Sequence, residues 1–237
     1  MNVRAALFLT FIVSSFICNY DISTNGVKVS NRFPIIDRNG KLLGYDTSSV
    51  LIYCQDDNMA YKLSYHYDST SKNELLLSEI RYHYFVYTKN RIFGYDFDRF
   101  KSDKPIRKTI DSVFKNEWIV QNRIFPIFSD NIVMLLSSDS TRNSLNEKFR
   151  IVDKNDSRKK ATAYLYYSND FENIEYSMSR ELDSIKSMKL VSIRVVYDSR
   201  KINDSLQIDA FETYTGMERL KHSEVEEMKK YIEKLSK

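Results

Sequence analysis

Apolar and polar residues alternate with a period of two over most of this chain, which predicts half-buried β-strands. Over 59–68, Tyr61, Leu63, Tyr65 and Tyr67 fall on one side, with Lys62, Ser64 and His66 opposite. Over 75–88 the pattern repeats with Ile80, Tyr82, Tyr84 and Val86. Lys89-Asn90 predicts a turn, and 92–97 a returning strand. The other face of this hairpin carries Arg81, His83, Asp96 and Asp98, as a water-facing surface would. Val191, Ile193, Val195 and Tyr197 mark a strand over 190–198. Its expected antiparallel partner is 205–214, ended by Gly216. The run Val50 to Gln55 reads as a buried strand, and 147–152, 161–167 and 172–178 as further strands. Asn39-Gly40 between apolar pairs predicts a hairpin turn, because both residues tolerate positive φ.

The period changes in two places. Ile106, Ile110, Val113, Phe114 and Trp118 have helical spacing, with Asp103 as a cap and Pro105 in the first turn, so a helix is expected over 103–118. Val225, Met228, Ile232 and Leu235 form one apolar stripe over 223–236, and Ser223 with Glu226 has the spacing of a capping box. Leu182, Ile185 and Met188 fit a short helical turn. The apolar stretch 123–137, which contains Pro126, fits a strand with a short helix. The expected fold is α+β. It is a twisted, mainly antiparallel sheet of about seven to nine strands with two principal amphipathic helices on one face.

The first residues follow a different rule. Met1 to Arg4 carry positive charge, and Ala5 to Ile17 contain no charged residue. A spanning helix needs about 20 apolar residues, so this shorter run reads as a secretory signal. The expected organisation is a signal segment over 1–18, a tether or loop over 19–32, and a single α+β domain over 33–237. Cys18 stands where a bacterial lipoprotein would carry its lipidated cysteine, but Ile17 before it is not small. Cleavage after Ser15 is the ordinary alternative. The expected location is therefore outside the cytoplasm: periplasmic, membrane-anchored through Cys18, or secreted.

Composition narrows the function. The 17 Tyr and 14 Phe suit strands, and only 5 Gly and 3 Pro argue against Gly-rich phosphate loops. The formal net charge is +4, with basic residues spread along the chain, so nucleic acid is not an expected partner. The two cysteines, Cys18 and Cys54, exclude a disulfide-stapled scaffold. Three histidines, His66, His83 and His222, show no metal-ligand spacing, and no cofactor or metal is expected.

Two functions compete. The first is a non-enzymatic exported binding protein, whose partner is another protein or an apolar small ligand. Its candidate surface is the tyrosine row Tyr65, Tyr67, Tyr82 and Tyr84, with Tyr87 nearby, and the same row can equally face the core. The second is an exported hydrolase with an unfamiliar site at Asp96 and Asp98 or at Cys54. No motif elsewhere names a catalytic residue.

Overall fold

Two antiparallel meanders meet side by side in one sheet. The computed structural model describes residues 25–71, 74–98, 105–114, 131–203 and 206–236. The first meander is β1 (Gly26–Ile36), β2 (Leu42–Gln55), β3 (Asn58–Ser71), β4 (Glu74–Thr88), β5 (Phe93–Asp98) and β6 (Ile106–Thr109). A short helix, α1 (Ile110–Phe114), follows it. The second comprises β7 (Asn131–Ser140), β8 (Ser144–Asp153), β9 (Lys160–Ser168), helix α2 (Arg180–Lys186) and β10 (Lys189–Tyr197). A small hairpin of β11 (Arg200–Asn203) and β12 (Leu206–Ile208) precedes β13 (Phe211–Arg219) and the C-terminal helix α3 (His222–Glu233). Eleven strands form one sheet in the order β6-β5-β4-β3-β2-β1-β13-β10-β9-β8-β7. The seam between the meanders is the antiparallel pair β1 and β13, with Val29 opposite Met217.

The mainly antiparallel sheet with a few helices agrees with the sequence reading, and it is wider than expected. Residues 26–32, expected in a tether, instead open β1 at the centre of the sheet. Val27 and Val29 are fully buried, while Lys28 and Ser30 alternate with them. The polar content of this stretch is one face of a strand, so composition alone misled. The Asn39-Gly40 turn forms as expected. The Asp37 carboxylate accepts from the N–H groups of Asn39 and Lys41, each at 2.8 Å. Gly40 has φ +82°, and a Cβ there would meet the Gln207 carbonyl oxygen at 2.2 Å, so the turn lies directly on β12.

The sheet has an inner and an outer face, each with its own core. The inner core spans both meanders and includes Val27, Ile52, Tyr61, Phe85, Leu165, Ile193 and Met217. The outer core lies over the first meander only and includes Leu51, Tyr53, Ala60, Tyr84 and Val86. Helix α3 covers it with Val225, Met228 and Ile232. Each such side chain contributes about 1.5–3 kcal/mol when fully buried. The Tyr231 ring stacks on Tyr84 at 3.9 Å, and Lys62 meets the Glu227 carboxylate at 2.8 Å. The start of α3 is held by Glu224, whose carboxylate accepts from the Lys221 N–H at 2.8 Å, rather than by the expected Ser223–Glu226 box.

The helices do not share a face. The expected helix over 103–118 is, among the described residues, strand β6 followed by five-residue α1. Phe114 packs on the inner face, 4.8 Å from the Tyr61 ring and 5.4 Å from Phe85. Tyr61 and Phe85 alternate with Ala60 and Tyr84, which lie under α3, so α1 and α3 flank opposite faces. Ile106, counted toward the helical stripe, is exposed on an edge strand. The expected antiparallel partner of β10 is present over Phe211 to Tyr214 and differs before and after that stretch. Arg200 to Ile208 fold back as the β11-β12 hairpin, and β13 pairs with β10. Gly216 lies inside β13, where the Tyr214 ring folds over it; a Cβ would sit 2.0 Å from the Tyr214 hydroxyl oxygen.

Candidate functional site

The inner face of the second meander is ordered in transverse rows. Val133, Ile151, Ala161, Tyr197 and Phe211 stand opposite one another from β7 to β13. The next row is Leu135, Phe149, Ala163, Val195 and Thr213. The third turns polar, with Glu147, Thr215 and Asn31 among Leu165 and Ile193. Glu147 is buried and meets Lys186 of α2 at 2.6 Å. The segment carrying Ile174, Tyr176 and Met178, together with Leu182 of α2, packs against this core. Apolar rows at one end of the sheet therefore give way to a polar row and a helix cover toward the other.

A pocket of about 310 Å³ opens at the apolar end. Ile151, Ala161, Val195, Tyr197 and Phe211 line it. The Tyr197 and Phe211 rings stack with centroids 4.6 Å apart. Burial pushes the Tyr197 hydroxyl up from its ordinary value, and a hydrogen bond with Thr213 opposes the shift. The volume lies at the small end of the range of about 300–1,000 Å³ typical of small-molecule sites. Strand ends supply its rim: Asp153, Lys159, Lys160, Asp198 and Arg200. Asp153 is held by Lys159 at 3.5 Å and by the N–H groups of Asn155 and Asp156, and Asp198 by Arg150 at 2.5 Å. An apolar wall with a charged mouth can take an apolar chain and leave a polar end in water.

The tyrosine row does not form one surface. Tyr84 is buried under α3, and Tyr82 packs against the same outer core. Tyr87 is on the inner face, where its ring stacks on Tyr61 at 5.9 Å. Tyr65 and Tyr67 pair in the β3-β4 ladder with Arg81 and Glu79, and their side chains lie outside the described residues. An odd step from Tyr84 to Tyr87 reverses the face, which is why neighbouring tyrosines separate. Cys18 lies outside the described residues.

Asp96 is buried, ion-paired with Lys108, and 3.4 Å from the His83 Nδ1. Burial pushes its carboxyl up, but the His83 and Lys108 hydrogen bonds outweigh this and hold it below the ordinary value. The Asp98 side chain lies outside the described residues. Cys54 is buried, and its thiol donates to Glu175 at 2.9 Å. Burial and that carboxylate push the thiol up to about 11, so at neutral pH it is protonated and a poor nucleophile. Among the described residues, no group of three or more His, Cys, Asp or Glu could hold a metal ion. No described helix is long and apolar enough to cross a membrane.

No family model and no curated protein matches this chain. One similar solved structure is that of a LolA superfamily protein from Nitrosomonas europaea. It shares 11% identity over 85% of this chain and 88% of that one, with a TM-score of 0.24. A likeness that slight carries neither fold nor function, and the reading below rests on the residues themselves.

Sequence reasoning missed the pocket because its residues come from five segments. The signal within each strand was present. Val195 and Tyr197 share one face of the expected strand over 190–198, and Ile151 and Ala161 fall in the expected strands over 147–152 and 161–167. Phe211 also lies in the expected partner of the Tyr197 strand, but which of the other strands lie side by side is not written in any local pattern.

Proposed function

We propose that this chain is an exported, non-enzymatic binding protein that holds an apolar small ligand in the pocket at the ends of β8, β9, β10 and β13. The observation that carries this reading is the pair of apolar rows on the inner face that ends in an open pocket. Export rests on the basic and apolar first residues, and a membrane tether on Cys18. Calorimetric titration with decanol tests the pocket. The intact protein is expected to bind one molecule, and Ala161→Leu, which places a larger side chain at the pocket wall, is expected to lose binding while retaining its circular dichroism spectrum. Equal binding by both proteins, or none by either, would count against the pocket.

A second reading, in which the partner is another protein, is favoured by one specific feature. Ile92, Tyr95 and Ile106 are 72%, 40% and 57% exposed on the β5-β6 edge of the sheet. A photo-crosslinking residue at position 92 in the native host should capture a discrete protein if that edge docks one. The hydrolase alternative gains nothing from a protonated, buried Cys54 or an ion-paired Asp96.

A further inference from the structure

We infer that the ligand of this pocket is a single-chain amphiphile with an anionic head, and that Arg200 at the mouth pairs with that head. The inference rests on the proposed apolar pocket and adds the chemistry of the ligand's polar end. The rim holds charges of both signs, but they are unequally committed. Asp153 is satisfied by Lys159 and two backbone N–H groups, and Asp198 by Arg150. The Arg200 side chain is half-buried beside the apolar wall and makes no ion pair, hydrogen bond or ring contact among the described residues. The Lys160 side chain, exposed on the same rim, is likewise uncommitted among the described residues. A neutral or cationic head would leave these two cations unanswered.

The geometry fits one chain entering from the strand ends. Its methylenes would lie against Val195, Ala161 and the stacked Tyr197 and Phe211 rings. The polar row beginning at Thr215 and Asn31 limits how deep an apolar chain is welcome. A head left at the mouth meets the Arg200 guanidinium, whose planar fork suits a carboxylate or a phosphate with two parallel hydrogen bonds. Lys160 adds a compact charge without directional demand.

The test compares heads on one chain length. Decanoate, decyl phosphate, decanol and decyltrimethylammonium are titrated calorimetrically into the intact protein, Arg200→Gln and Lys160→Gln. Both substitutions alter rim side chains that make no ion pair or hydrogen bond among the described residues, and thermal unfolding checks that they fold. Decanoate or decyl phosphate should bind roughly tenfold tighter than decanol, the size of one charge-assisted contact, and Arg200→Gln should remove that advantage. Decanol, which carries no charge for Arg200 to pair, should lose far less affinity in Arg200→Gln than either anion does. Lys160→Gln should weaken the anions less and flatten their salt dependence. The better of the two anions identifies the head as carboxylate or phosphate. Equal binding of decanol and the anions, an unaltered anion affinity in Arg200→Gln, or a preference for the cationic head would overturn the inference and leave the apolar pocket standing. Failure of every chain to bind would overturn the pocket itself.

Discussion

The two meanders use the same antiparallel pattern for different ends. In the first, 50–54 of β2, 59–61 of β3 and 84–86 of β4 are buried on both faces. Ile52, Tyr61 and Phe85 face the inner core, and Leu51, Ala60 and Tyr84 lie under α3. In the second, β8, β9 and β10 bury only the inner face. Their outer face carries Arg150, Tyr164 and Arg194, and Tyr164 is 39% exposed. The first meander is thus built as a three-layer support, and the second as a two-layer wall that leaves space at one end. The difference is visible residue by residue: Val50-Leu-Ile-Tyr-Cys54 is apolar without interruption, whereas Ala161-Thr-Ala-Tyr-Leu165 and Ile193-Arg-Val195 alternate.

The contrast predicts where substitutions hurt. Phe85→Ala, at a side chain with no exposure between Tyr87 and Phe114, should cost about 3–5 kcal/mol in urea unfolding. A cost under about 1 kcal/mol would show that the inner core of the first meander is not closed. Met228→Ala on α3 should cost about 2–5 kcal/mol, because that side chain is also fully buried. If it costs nothing, α3 does not complete the third layer.

Asp96→Asn should cost about 1–3 kcal/mol near neutral pH by leaving Lys108 and His83 without their carboxylate. The folded carboxyl titrates below its ordinary value of 3.8, so the stabilisation is fully present above that value and fades as pH falls through the lower folded value. The gap between the intact protein and Asp96→Asn, followed by urea unfolding across the acid range, should therefore shrink below about pH 4. A gap that widens there would contradict the assignment. On the outer face of the second meander, Tyr164→Ala should change stability by less than about 1 kcal/mol, since it loses only long cation–π contacts with Lys148 and Arg194. A large loss would mean that this face is covered after all.

Much of the sheet could be read from alternation, and the reason is local. β4, β5 and β10 match their expected limits within two residues, and along β5 and β10 inner and outer side chains differ in polarity. Helix α3 was legible because Val225, Met228 and Ile232 form a stripe against charged neighbours. Failures occurred where one residue serves two patterns. Ile106 completes a helical stripe on paper but is an exposed edge-strand side chain. Gly216 looks like a strand end but makes room for the Tyr214 ring. Lys28, Ser30 and Arg32 look like a tether but are the outer face of the central strand. The pocket was not legible because its wall depends on β8, β9 and β10 lying side by side, an order that no period announces.

The central claim is that ligand binding belongs to the open end of the second meander. Hydrogen exchange of the intact protein, read by peptide mass with and without saturating decanoate, tests it most directly. The account predicts slowed exchange at the ends of β8, β9, β10 and β13 that bear Ile151, Ala161, Val195 and Phe211, and no change in β2, β3 or α3. Slowing centred on β2, β3 and α3, or none anywhere, would contradict it.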